Sequence, residues 1–194
     1  MSQYFENNDN LKDAPREITC WCGNRKLVFR TDSGVFSRTE IDDASLFMVR
    51  NIGPLSGTIL DLGCGYGFVG IYCAVSNPDV NVLFSDVNKR ALELCKNNCT
   101  LNGINGEWFI SDGFSAFERM EFDSILLNPP IHAGKNVVHQ LICEGMNHLS
   151  DGGKLYIVIR EKHGAKSLLK YINSSYSGEC IKKQDSIWLI VVSA

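Results

Sequence analysis

Hydrophobic and polar positions alternate along this chain with two different periods, and the places where the period changes divide it into elements. Ile18 to Cys22 and Arg25 to Thr31 alternate as strands do, with Gly23-Asn24 as a two-residue turn between them, which predicts an amino-terminal hairpin. From Ile41 to Ile52 the positions Ile41, Ala44, Ser45, Met48, Val49 and Ile52 keep helical spacing, and Gly53-Pro54 closes the element. Short apolar runs then predict strands at Thr58–Leu62, Asn81–Ser85, Glu107–Ile110, Phe122–Leu127, Lys154–Arg160, Gly178–Lys182 and Ile187–Val192. Helical stripes fall between them at Phe68–Ser76, Lys89–Leu101, Asn136–Leu149 and Ala165–Ser174.

Strands separated by helices predict an α/β fold: a mostly parallel sheet covered on both faces. The last two strands leave no room for a helix at Gln184-Asp185, so they should pair as an antiparallel hairpin. No repeat or linker interrupts the 194 residues. The expected organisation is one structural domain, with residues 41–194 as its body and 1–40 as an extension and hairpin packed on it.

With 44% hydrophobic residues the chain is large enough to build a core without staples. That bears on the eight cysteines: no Cys-x-x-Cys occurs, the nearest pair is Cys20-x-Cys22, and they read as reduced, small apolar residues rather than as a disulfide framework or a metal site. The amino terminus has neither a basic start nor an apolar centre, and no apolar stretch approaches the ~18 residues of a membrane helix. A soluble, cytoplasmic protein is expected. The net charge of −3 excludes a strongly basic nucleic-acid-binding domain, so the substrate is small, or the contact surface is local, or the target is a partly assembled particle.

Candidate chemistry begins behind the first central strand, at Asp61-Leu62-Gly63-Cys64-Gly65-Tyr66-Gly67. Glycines here turn the strand sharply into a helix and admit a ligand close to the backbone, and Gly65-x-Gly67-x-x-Gly70 also fits the dinucleotide fingerprint. Asp61 separates the two cofactors. A carboxylate at the strand end repels a pyrophosphate, whereas S-adenosylmethionine carries an ammonium and a sulfonium that it attracts. Asp86 closes the next strand, where a carboxylate accepts from ribose hydroxyls or else caps the following helix. Asp112, before Gly113, is placed to accept from an adenine amino group or to be an acidic turn residue.

Asn128-Pro129-Pro130-Ile131 follows the apolar run Phe122–Leu127, and two prolines must stop that strand because neither donates to a sheet ladder. The rigid turn fixes the Asn128 amide and the Asn128 and Pro129 carbonyls as acceptors at the sheet's carboxyl edge, which suits a planar NH2 on a base or an amide. His132 is close enough to be an extra proton carrier, or merely a substrate contact or a loop residue. His139 and Cys143 lie one helical turn apart without a further ligand, so no metal is expected, and His148 and His163 read as surface residues.

Taken in order, Asp61 to Gly67, Asp86-Val87-Asn88, Ser111-Asp112-Gly113-Phe114 and Asn128 to Lys135 resemble class I S-adenosylmethionine-dependent methyltransferases. More narrowly they resemble the "methyltransferase small" domain of ribosomal RNA guanine-N2 methyltransferases of the small subunit, and Thr31 to Ser37, with Phe36 and Ser37, is similar to the segment those enzymes place beside the cofactor. The resemblance implies a Rossmann-like fold of seven strands with an antiparallel last strand. It implies Asp61, Gly63 and Gly65 around the methionine end with Cys64 and Gly67 in the same loop, Asp86, Val87 and Asn88 at the ribose, Asp112 and Gly113 at the adenine, and Asn128 beside the cofactor and on the target amine. RNA or a ribosomal particle becomes the implied substrate. Two departures stand out: the ribosomal RNA enzymes carry a second, amino-terminal domain of the same kind, and an aromatic residue often stands where this chain has Ile131.

The expected reaction is methylation of an exocyclic amine, foremost guanine N2 in ribosomal RNA. Methylation of a protein glutamine amide, a non-catalytic S-adenosylmethionine-binding accessory role and a nicotinamide oxidoreductase are the competing readings.

Overall fold

The computed structural model describes residues 14–193; the polar lead-in from Met1 to Asn10 lies outside the described residues. Strands β1 (Arg16–Cys22) and β2 (Arg25–Thr31) pair antiparallel with Cys22 opposite Arg25, so Gly23-Asn24 is the whole loop of the hairpin. The remaining strands are β3 (Thr58–Leu62), β4 (Asn81–Asp86), β5 (Glu107–Ile110), β6 (Phe122–Leu127), β7 (Leu149–Arg160), β8 (Ser177–Gln184) and β9 (Ile187–Ser193). They form one sheet in the order β5-β4-β3-β6-β7-β9-β8. Strand β9 is antiparallel to both neighbours, and the other pairs are parallel.

Among the described residues, five α-helices cover the sheet: α1 (Asp43–Asn51), α2 (Phe68–Ser76), α3 (Lys89–Leu101), α4 (Lys135–Asn147) and α5 (Ala165–Ile172). Successive strand residues point to opposite faces and so feed two cores. Ile59, Phe84, Leu126 and Val158 pack with Met48, Ile71 and Cys95 from α1 to α3, and Leu27 and Phe29 of the hairpin join this layer. Leu60, Leu83, Ile125 and Ile157 pack with Val138, Ile142 and Leu168 from α4 and α5. These central strands are buried on both sides, which is why they read as continuous apolar runs.

The hairpin is held to this body by two buried amides. Asn98 Oδ1 accepts from Arg30 N at 2.8 Å while its Nδ2 donates to the carbonyls of Arg30 and Tyr66. Asn102 repeats the arrangement one turn on, accepting from Val28 N and donating to Val28 O. A helix side chain thus supplies the hydrogen bonds that the open flank of a two-stranded ribbon lacks.

Several boundaries differ from the sequence expectation. Helix α1 begins at Asp43 rather than Ile41, because Asp42 is its N-cap and accepts from Ser45 N at 2.8 Å. Helix α4 stops at Asn147, and Leu149 already pairs with Phe122 as the first residue of β7, five residues before the expected start at Lys154. The ladder shifts register between Phe122 and Ser124, and a Cβ on Gly153 would stand 2.9 Å from the Phe122 carbonyl, so this bulge needs a glycine there. Strand β8 runs from Ser177 to Gln184, longer than Gly178–Lys182, and turns into β9 through Asp185 and Ser186, both with positive φ (46° and 65°) as a two-residue hairpin prefers.

Candidate active site

The chain leaves β3 toward β4 and β5, then returns on the other side of β3 as β6. At such a switch point the loops above the carboxyl ends diverge and open a crevice. A cavity of about 650 Å³ occupies this place.

One wall is the turn after β3. Gly63, Gly65 and Gly67 all have positive φ (71°, 56° and 90°), a conformation in which a side chain is strained, and the turn delivers the chain into α2. Gly63, Cys64 and Gly65 line the cavity; Gly67 stands behind it, where a Cβ would come within 2.6 Å of Cys95 Sγ. Gly70 brings α2 onto the strand: its N–H donates to Asp61 Oδ2 at 2.8 Å, and an added Cβ would meet Phe84 at 2.4 Å.

Asp61 lies at the cavity floor and is 4% exposed. Burial pushes its carboxyl up to about 7, opposed by the Gly70 hydrogen bond and reinforced by the Asp86 carboxylate. Burial likewise raises Asp86 above the usual carboxylate range, opposed by the N–H groups of Asn88, Gly65 and Val87. Asp86 Oδ2 accepts from Gly65 N and its Oδ1 from Asn88 N, both at 2.8 Å, which ties the glycine turn to the end of β4. The alternative of Asp86 as a helix cap is corrected here: Asn88 caps α3, its side chain accepting from Arg90 N and Ala91 N.

Val87, Asn88, Asp112 and Gly113 continue the same wall, and Phe36 covers it from the loop after the hairpin, where Asn88 Nδ2 donates to Gly34 O at 3.3 Å. Ser37 does not reach the cavity; it has a φ of 54° and its hydroxyl donates to Glu40 O at 2.6 Å.

The opposite wall is Asn128, Pro129, Pro130, Ile131 and His132. Ala133 N–H donates to Pro130 O and Gly134 N–H to Ile131 O, closing a short 3-10 turn that carries the chain from β6 into α4. Asn128 Nδ2 donates to Ser45 Oγ at 2.9 Å and to Asp42 Oδ2 at 3.2 Å. A carboxylate only accepts, so the NH2 must face Asp42 and the Oδ1 is turned the other way. Asp42 is itself held by the α1 N-terminus and by Arg160, 3.5 Å away at the end of β7.

Sequence reasoning missed Asp42, Ser45, Arg160 and His163, all of which line this cavity. Ser45 was counted on the apolar stripe of α1; it is indeed buried, but as a polar group bonded to Asn128. The signal at Asp42 was its position as a capping residue before a helical stripe. His163, expected on the surface, is exposed yet stands at the cavity mouth.

The donor set tests the two candidate cofactors. A pyrophosphate on the glycine turn would meet the buried Asp61 carboxyl, whereas the charges of S-adenosylmethionine are those that ionise it. Sheet order, antiparallel β9 and this acidic, phosphate-repelling pocket define a class I methyltransferase.

Comparison with known proteins agrees. The model of the family described as "Methyltransferase small domain" matches residues 26–188. A Bacillus subtilis (strain 168) protein named "Uncharacterized protein YbxB" is 35% identical over 192 residues, covering 97% of this chain and 96% of its own. "Ribosomal RNA small subunit methyltransferase C" of Vibrio parahaemolyticus is 32% identical over 166 residues, 84% of this chain and 47% of its own, so the chain spans about half the length of that relative. Among solved structures, the Thermus thermophilus 16S rRNA N2 G1207 methyltransferase (RsmC), in complex with AdoMet and guanosine, superposes with a TM-score of 0.82 at 21% identity over 92% of this chain and 50% of its own. That likeness shows the fold. The chain belongs to the methyltransferase small domain family, and it is a methyltransferase.

Proposed function

We propose that this protein methylates an exocyclic amino group of a nucleobase in ribosomal RNA, with guanine N2 as the acceptor. The observation that carries the reading is the anchoring of Asn128 Nδ2 on Asp42 and Ser45, which commits the amide oxygen to the substrate. The names of the ribosomal RNA relatives support the substrate class.

Asp61, Gly63, Cys64 and Gly65 would hold the methionine end of S-adenosylmethionine, Asp86, Val87 and Asn88 its ribose, and Asp112 and Gly113 its adenine, with Phe36 above and Ser37 and Gly67 shaping the loops behind. When bound, this group supplies an electrophilic methyl on a positively charged sulfur.

An exocyclic amine is a poor nucleophile because its lone pair is delocalised into the ring. Asn128 Oδ1 and the Pro129 carbonyl accept its two N–H bonds, which favours a pyramidal nitrogen with its lone pair directed into the cavity. Positive charge grows on that nitrogen during transfer, and two acceptors in a dry pocket stabilise it. Pro129 and Pro130 keep these acceptors from shifting, so positioning supplies much of the remaining acceleration. Ile131 offers an apolar surface to the base. His132, exposed at the cavity edge, is placed to take up the proton released afterwards, a step that needs no strong base.

Incubation with methyl-labelled S-adenosylmethionine, unmodified ribosomal RNA and ribosomal protein tests this reading. Label should enter RNA, and Asn128→Ala should abolish transfer with cofactor affinity kept. Label entering protein at a glutamine, or no transfer alongside intact cofactor binding, would overturn it.

A further inference from the structure

The net charge of −3 conceals a division of the chain. Residues 131–184 carry eight Lys and Arg against four Asp and Glu, while all other residues carry eleven against eighteen, a net of +4 against −7. All four histidines also fall between 131 and 184.

The fold gathers much of this excess at one rim of the cavity. Lys135 opens α4, Arg160 ends β7, Lys162 and His163 form the 3-10 turn behind it, and Lys166 lies in the first turn of α5. Strand β8 runs in the same direction as β7, since both oppose β9, so Lys183 near its end joins the same edge. Glu161 answers Lys166 at 3.0 Å and Lys183 at 3.1 Å, one carboxylate for two cations.

The rim is continuous with the cavity. His132, Arg160 and His163 line it, and a notch of about 30 Å³ bounded by Lys135, His139, His163 and Ser167 shares Ile131, Ile159 and His163 with it. Proton binding at His163 is weakened, first by desolvation of its ring and then by Lys162, Arg160 and His132, and is favoured by Asp42. The charged residues on the β3-to-β5 side of the cavity are Asp61, Asp86 and Asp112, while Asp42 and Asp43 face Arg160 at the end of β7. A polyanion entering the cavity is repelled on that side and attracted on the other.

We infer that the RNA backbone crosses the rim formed by Lys135, Lys162 and Lys166, whose cations hold the phosphates flanking the target nucleotide. This rests on the reading that the substrate is RNA, and it makes the contact surface local in a chain whose overall charge is negative.

The test compares two doubly charge-reversed variants with the wild type: Lys135→Glu with Lys162→Glu on the rim, and Lys26→Glu with Lys154→Glu, exposed residues on the hairpin and in the middle of β7. The probes are unmodified ribosomal RNAs purified from cells lacking the gene, titrated over a salt series, with S-adenosylhomocysteine affinity as the check on folding. Losing two phosphate contacts should lower the slope of log affinity against log salt by about 1.4 to 1.8, and weaken binding at 0.1 M salt roughly 25- to 60-fold. The control variant should change affinity less than threefold. Equal losses in both variants, or an unchanged slope in the rim variant, would overturn the rim while RNA methylation by the wild type stands. A wild type that binds S-adenosylhomocysteine but no ribosomal RNA overturns the rim and the RNA reading together.

Discussion

Burial of Asp61 makes cofactor binding depend on pH, and the structure sets the window. The folded, cofactor-free protein holds this carboxyl at about 7, against an ordinary 3.8. The direction is that of an acid whose folded pKa is raised. The folded state keeps the proton longer than the unfolded chain does, so the free protein loses stability as pH rises from about 4 to about 7, by roughly 4 kcal/mol at 1.36 kcal/mol per unit, and loses no more above that. A cation beside the carboxylate favours the ionised form, so binding below pH 7 must release a proton. By pH 5.5 only about 3% of Asp61 is ionised, against about three quarters at pH 7.5, and S-adenosylmethionine should bind about 25-fold more weakly at the lower value. Calorimetry in buffers of different ionisation enthalpy reads both the affinity and the proton release. Asp61→Asn should bind weakly at pH 7.5 with the 25-fold dependence gone. A wild-type affinity that does not move between pH 5.5 and 7.5, or an Asn variant with the same pH profile, would refute the reasoning.

Other residues give independent tests. Asp42→Ala and Ser45→Ala release the Asn128 amide without touching the cofactor walls, so methyl transfer should fall roughly 10- to 100-fold with S-adenosylmethionine affinity unchanged; equal loss of both in steady-state and binding assays would contradict the positioning role. Asn98→Ala strands the Arg30 N–H and two carbonyls in a buried place, and should cost about 3 kcal/mol, seen as a melting temperature lowered by roughly 8 °C. Gly67→Ala forces a Cβ onto Cys95 at a φ of 90°, and should destabilise by at least about 2 kcal/mol in denaturant titrations while the cavity-lining groups stay in place.

The parts of this fold legible in the sequence are those governed by local periodicity. Strands β3, β4 and β6 are buried on both faces and flanked by turns, so their apolar runs read plainly as strands, and the span from Asp61 to Gly67 announces a strand turning into a helix. What escaped the pattern is set by contacts between distant residues. The partner of Asn128 is an aspartate 86 positions earlier, and that aspartate meets an arginine 118 positions later. No window of the sequence brings these together, and Ser45, small and on the buried stripe of α1, looked like packing. Strand β7 began earlier than expected because Ser150 to Gly153 reads as a turn, and only pairing with Phe122 draws it into the sheet. The charge division was present in the composition but averaged out over the whole chain; its meaning came from the sheet order, which puts the ends of β7 and β8 on one side of the cavity.

The central claim, that Asn128 and Pro129 present an exocyclic amine of an RNA base to the cofactor, is tested most directly by identifying the methylated nucleoside. Unmodified ribosomal RNA from cells lacking the gene is incubated with the protein and deuterated S-adenosylmethionine, digested to nucleosides and read by mass spectrometry. The account predicts the label in N2-methylguanosine, and its absence when Asn128→Ala replaces the wild type. Label on a ring nitrogen, on a ribose or on protein would contradict it.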